Sequence, residues 1–270
     1  MAKIIDFPNV EKLKEEVKAI REEIIRLAFC HDDLIAHEAI RIEAKYNEEF
    51  GMMEYKAMNL NLTVKKLKEE KSLVESFIRR DEPVDFYYIS NIVSSKFTKV
   101  EKNLRDKLTL INNSRKSIET LDVSSDKFFQ TEKSYTKIIG KINPVINPNI
   151  SLEEWDLYKD AIAAFTNYDS DFLLEIADMV DGNYDNDYYF WPSDSLYAEK
   201  IRLEAAIVAI KEAMDEMSMT YPINLKKYLV DSKEHRNKKE VLKKRISSLK
   251  DAKRSLEEDL KILLEAYNDW

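Results

Sequence analysis

The sequence predicts an all-α protein built from long amphipathic helices, and three observations predict it. Apolar residues recur at alternating spacings of three and four, beginning with Val10, Leu13, Val17, Ile20, Ile24 and Leu27, which is the rhythm of one helix face rather than of a strand. Charged residues make up 35% of the 270 residues while there are only 3 Gly and 6 Pro, so good helix formers abound and the residues that turn sheets are scarce. Hydrophobic residues reach 44%, enough for a folded core rather than a disordered polar chain.

The first periodic run predicts a helix over about 9–29. Asp32 or Asp33 in the CHDD segment is placed to cap a second helix over about 33–80, on the order of 70 Å long at 1.5 Å per residue, with Gly51 as its one weak point. Its apolar stripe (Leu34, Ile40, Ala44, Phe50, Met53, Ala57, Leu60, Val64, Leu67) is expected to fold back antiparallel on the first helix as a hairpin. Asp81-Glu82-Pro83 ends that helix, and the series Ile89, Ile92, Val93, Phe97, Val100, Leu104, Leu108 and Ile111 predicts a third.

The rhythm lapses over 121–131, LDVSSDKFFQT, where turn formers predict a boundary. Two short helices follow, one over about 132–142 with Tyr135, Ile138, Ile139 and Ile142 inward, the next opening at Ser151, whose spacing to Glu154 is that of a capping box. Trp155, Tyr158, Ile162 and Phe165 are expected on its buried face. A helix over about 170–180 buries Phe172, Leu173, Ile176 and Val180. After DGNYDNDYYFWP (181–192), Ser193 is placed to cap a helix to about 219. Pro222 interrupts the pattern, and a last helix over about 233–268 carries Leu242, Ile246, Leu249, Ala252, Leu256, Leu260, Leu263 and Tyr267 at coiled-coil spacing. The expected organisation is elongated: antiparallel coiled-coil arms at 1–120 and 193–270 flank a small helical hairpin domain at 121–192.

Within that middle segment, residues 133–177 carry a Tyr-led basic helix (Tyr135, Lys137, Ile138, Ile139, Lys141), a Pro-centred loop followed by NPN (147–149), and AIAAF (161–165). This layout resembles the hairpin of J-domains, and with IRIEAKYNEEFGMMEYKAMNLNLTVKKLKEE (40–70) before it and YPINLKKYL after it the chain looks like a group of bacterial J-domain-like coiled-coil proteins. In that group the loop commonly reads HPDLNPN; here it reads NPVINPN. Asn143, Pro144 and Val145 stand where the His-Pro-Asp tripeptide would act on a DnaK-type ATPase. The resemblance implies that Val145, having no charge, cannot make the ion pair that the aspartate makes, while Asn143 keeps hydrogen-bonding ability and Pro144 keeps the turn.

Other candidates for chemistry are sparse. Asp181, Asn183 and Asp185 begin like a calcium loop, but Asn186 stands where Gly is required and Pro192 where the bidentate Glu belongs. His31, His37 and His235 are too scattered to form a metal site, Cys30 is expected to be a buried thiol, and no nucleotide-binding or hydrolase motif occurs. No catalytic residue, cofactor or metal is therefore expected. The single cysteine excludes an intrachain disulfide, and MAKIIDFPNVEKLKEE has no apolar run suited to a signal peptide or membrane span, so the expected location is the cytoplasm.

The function expected is that of a non-catalytic scaffold or adaptor acting through protein contacts. Aromatic residues anchor interfaces better than hydrated Lys and Glu do, which selects Tyr188, Phe190 and Trp191 beside the basic stripe Lys133, Lys137 and Lys141 as the candidate contact surface, unless that loop plugs a domain junction. The coils can pair within one chain or between copies of it. Two competing readings are an atypical J-domain cochaperone and a nucleic-acid-associated factor. A net charge of -8 opposes a broad nucleic-acid footprint, so the second needs the Lys and Arg of 226–254 to gather on one face.

Overall fold

The computed structural model describes residues 10–121, 124–181 and 191–268, and every regular element among them is helical. Residues 10–79 are helical throughout: α1 (Val10–Asp33), a π-helical turn (Leu34–Glu38), α2 (Ala39–Tyr46), a second π-helical turn (Asn47–Gly51) and α3 (Met52–Arg79). The reversal expected at the CHDD segment is absent. Asp33 keeps helical backbone angles and makes no side-chain cap, because its carboxylate and that of Asp32 have other partners. The chain continues as α4 (Phe86–Leu121), α5 (Ser125–Ile142), α6 (Leu152–Thr166), α7 (Ser170–Asp181) and α8 (Ser193–Met219). A 3-10 turn (Ile223–Lys226), α9 (Lys227–Val230) and α10 (Ser232–Asn268) complete it.

These elements form two compact units, each made of two separated stretches of chain: 1–41 with 120–224, and 42–119 with 225–270. The boundary expected near 121 lies beside the division at 120, whereas the one expected at 193 falls inside the first unit.

In the first unit, α1 lies alongside α8. Glu16 meets Lys200 at 2.8 Å and Glu23 meets Lys211 at 2.8 Å; both numbers rise together, so the helices are parallel. Such exposed pairs are worth only about 0–1 kcal/mol each, so they set register while the core supplies stability. That core is the inward face of α1 (Leu13, Val17, Ile24), all four predicted residues of α5, and Leu173, Ile176 and Val180 of α7, closed by Leu196 and Leu203 of α8. Ser124 caps α5, its hydroxyl accepting from Lys127 N–H. Ser151 and Glu154 form the predicted capping box of α6. Ser193 does not cap α8; Pro192 precedes the first turn there.

In the second unit, α3 is flanked by α4 and α10. Glu54–Lys107 and Glu69–Lys96 pair α3 with α4 in antiparallel sense, while Glu54–Lys238 and Lys71–Asp259 pair it with α10 in parallel. The helix α3 ends as Asp81 takes a positive φ of 58°. Gly51 is required by packing: a Cβ there would lie 2.8 Å from Cγ1 of Ile111, closer than carbon atoms tolerate. The two π turns each add about one residue to the helical phase, which explains why Ile40, placed in the predicted apolar stripe, is exposed while Phe50, Ala57 and Val64 are buried.

Glu54 collects three partners: the Tyr46 hydroxyl at 2.5 Å, Lys107 at 3.3 Å and Lys238 at 3.2 Å. Burial pushes its carboxyl upward, but the Tyr46 hydrogen bond and the two lysines outweigh that and hold it below the usual carboxylate range. A depressed carboxylate contributes stability that is present above its unfolded value and lost as pH falls through the folded one. Acid unfolding of this unit, followed by circular dichroism below pH 4.5, is expected to shift toward neutrality in Glu54→Gln, and an unchanged acid midpoint would contradict this account.

Candidate functional site

The loop between α5 and α6 is held from within. Asn143 is buried; its amide donates to the Tyr158 hydroxyl at 2.7 Å and its Oδ1 accepts from Val145 N–H at 2.9 Å. Its carbonyl accepts from Ile146 and Asn147 N–H, so the turn closes on Asn143 itself, an Asx-type arrangement suited to the residue before a Pro. Asn147 extends the closure by donating to the carbonyls of Gly140 and Lys141. Ile146 is buried and Val145 faces outward.

Two arginines clamp the loop from other helices. Arg202 of α8 donates to Val145 O at 2.7 Å and Ile146 O at 3.2 Å, and Arg21 of α1 donates to Asn147 Oδ1 at 2.5 Å. Between them lies Glu199, its side chain 7% exposed, accepting from Arg21 Nη1 at 3.2 Å and from Arg202 Nε and Nη2 at 2.7 Å each. This Arg–Glu–Arg arrangement escaped the sequence reading, although a signal exists: Glu199 falls three residues after Leu196 and four before Leu203, on the apolar seam of α8. A carboxylate on a seam position has to find cations there or cost several kcal/mol.

Behind the loop lies a chain of buried polar groups. The Tyr158 hydroxyl accepts from Asn143, and the Tyr135 hydroxyl donates to Asp32 Oδ2 at 2.7 Å. Burial, followed by the charge of Asp32, pushes the Tyr158 phenol up to about 12; burial, Tyr158 and Asp32 push Tyr135 up as well. Both phenols are therefore neutral at physiological pH, suited to holding structure and unsuited to acting as bases. His37, carried into the core by the first π turn, sets Nδ1 2.9 Å from Asp33 Oδ1 and Nε2 3.1 Å from Phe165 O. Its ring stacks on Tyr168 at 4.0 Å, and Phe165 stacks on Tyr135 at 4.2 Å. Tyr168 takes a positive φ of 53°, and its hydroxyl accepts from Arg41 at 2.6 Å.

The structure treats the predicted contact residues unequally. Lys133 is exposed, but Lys137 is turned to α7, with Asp181 at 3.1 Å and Asp178 at 4.0 Å. Lys141 is half-buried, and its own carbonyl belongs to the loop closure made by Asn147. The three lysines thus do not form one open basic stripe, since a carboxylate pair neutralises the middle of it. Tyr188 and Phe190 lie outside the described residues, as do the calcium-like positions Asn183, Asp185 and Asn186; Trp191 is described and exposed. Pro144 is half-buried at the loop tip. Cys30 is exposed rather than buried, because the helix carries it to the outer side of α1 while Phe29 packs inward.

A different exposed surface takes their place. Leu152 is 83% exposed, Trp155 40% and Ile162 38%. With spacings of three and seven they share one outward face of α6, contrary to the buried positions predicted for Trp155 and Ile162. The core is instead closed by Tyr158, Ala161, Ala164 and Phe165 on the neighbouring face, so the small residues of AIAAF allow close helix packing and Trp155 is left outside. Among the described residues no group of His, Cys, Asp and Glu could hold a metal ion, and no helix is long and apolar enough to cross a membrane. Compared with family models, with curated proteins and with solved structures, the chain gives no match.

Proposed function

We propose that this protein is a non-catalytic helical adaptor, that its J-like hairpin is retained as a rigid part of the fold, and that it works through protein contacts. The observation that carries this reading is the inward commitment of the Asn143-Pro144-Val145 loop. Asn143, where the resemblance places a histidine that helps to hold the loop, is buried against Tyr158, and the carbonyls of Val145 and Ile146 are taken by Arg202. The resemblance implies that a loop stimulating a chaperone offers it a carboxylate. This one offers the uncharged side chain of Val145. The outward apolar face of α6, with Leu152 and Trp155, supplies anchors of the kind that protein interfaces bury.

The decisive measurement is the ATPase rate of a DnaK-type chaperone from the same host, with and without the purified protein. The rate is expected to stay unchanged, and clear stimulation would replace the adaptor reading with the cochaperone one. Restoring the tripeptide is not a neutral manipulation, because Asn143→His inserts a ring where a buried amide makes two hydrogen bonds. Val145→Asp is the tolerated half of that change, since its side chain faces solvent.

A further inference from the structure

The strongest concentration of charge in the chain lies on α10. Residues 232–254 hold ten Lys and Arg against three Asp and Glu, in a chain whose overall charge is negative. Four of these cations are paired: Lys238 with Glu54 of α3 at 3.2 Å, Lys239 with Glu49 of the second π turn at 2.9 Å, and Lys253 and Arg254 with Glu257 and Glu258 of α10 itself at 3.4 and 3.0 Å. Arg236, Lys243 and Lys250 are seven residues apart, so they stack on one exposed face, about 10 Å from one to the next along the axis, with Lys244 beside them. Among the described residues, no carboxylate lies within ion-pairing distance of Lys243, Lys244 or Lys250; Glu240 and Asp251 interrupt the strip without pairing to them.

From this placement we infer that the outer face of α10 binds the sugar-phosphate backbone of a nucleic acid. The flanking seam of the helix is occupied by packing, with Leu242 and Leu260 buried and Ile246, Leu249 and Leu256 half-buried, and the strip runs along the solvent side beside it. Its composition separates phosphate from protein as the partner. Protein interfaces are centred on aromatic and apolar anchors and are depleted in Lys, whereas this face presents Lys and Arg interleaved with the exposed hydroxyl of Ser247 and amide of Asn237, the donor types that contact phosphate oxygens. Contacts of this kind to phosphate carry no sequence information, so the binding inferred is through the backbone and independent of sequence. The strip spans about 20 Å from Arg236 to Lys250, a length that confines the footprint to about one turn of a duplex, which reconciles it with the acidic chain as a whole.

The test uses the full chain with two fluorescein-labelled probes of one sequence, a DNA duplex and an RNA duplex of about 20 base pairs each, read by anisotropy. Binding of either is expected, with affinity falling about 150-fold between about 50 and 200 mM salt if the four cations of the strip are engaged; the preferred duplex identifies the source of the phosphate. The triple change Arg236→Glu, Lys243→Glu, Lys250→Glu is expected to abolish binding with helicity unchanged, whereas Lys18→Glu on α1 leaves it intact. Three results would overturn the inference: no binding at low salt, binding that survives the triple change, or equal occupation by poly-glutamate, which would make the strip a surface for acidic protein. All of these are independent of the chaperone assay, so either reading can fail alone.

Discussion

Glu199→Ala is expected to destabilise the first unit by about 3–5 kcal/mol, the range for removing one partner from a buried ion pair, read as a fall in its thermal midpoint. The change strips the shared carboxylate from Arg21 and Arg202 at once. Arg21, its side chain 16% exposed, loses the carboxylate it shares with Arg202, and Arg202 loses the group that aims it at the carbonyls of the loop. Glu199→Gln keeps the shape and some hydrogen bonds and should lose less. If Glu199→Ala melted like the parent, the carboxylate would be a surface group in solution and the clamp would have to be abandoned.

The second large effect is expected from Phe165→Ala, at about 3–5 kcal/mol, the range for deleting a fully buried aromatic ring. Phe165 is 1% exposed and sits between Tyr135 at 4.2 Å, His37 at 4.8 Å and Phe29 at 5.6 Å. Its loss opens a void against rings from α1, the first π turn and α5 together. Trp155→Ala, on the same helix but facing solvent, is the internal comparison. It should change stability by less than about 1 kcal/mol. Equal losses in the two variants, measured by chemical denaturation, would mean that α6 is rotated from the orientation described.

How far the sequence could be read depended on which residues decide each feature. Helical content, the inward faces of α5 and α10, that of α4 apart from Val100, which is exposed, and the capping box of α6 follow from local rules: spacing, propensity and a cap three residues from its partner. The turn at CHDD did not materialise because Asp32 and Asp33 are excellent caps only when no stronger partner exists, and Tyr135 OH and His37 Nδ1 are such partners, more than a hundred residues away in one case. The parallel pairing of α1 with α8 was hidden for the same reason: heptad spacing reveals that a seam exists and is silent on which helix fills it. On α6 the error was one of phase. Trp155 and Tyr158 are three apart and either could have led the buried face; Asn143, reaching Tyr158, selects it. The clamp on the loop was the most legible of the missed features, since Glu199 is a charge on an apolar seam.

The interleaved construction of the two units has a consequence for how the chain acquires its structure during synthesis. Neither unit is assembled from consecutive residues: the first needs α8 to cover Leu13, Val17 and Ile24, and the second needs α10 to cover α3. With the first 190 residues made, both long helices present uncovered apolar stripes, and the ordering entropy of the N-terminal half is not yet offset by the contacts it will later make. Folding here is deferred, with two units waiting on one returning segment. The nascent form has the exposed hydrophobic surface that makes incomplete chains prone to aggregate, and the order of completion is set by the C-terminal helices, α8 closing its unit before α10 closes the other.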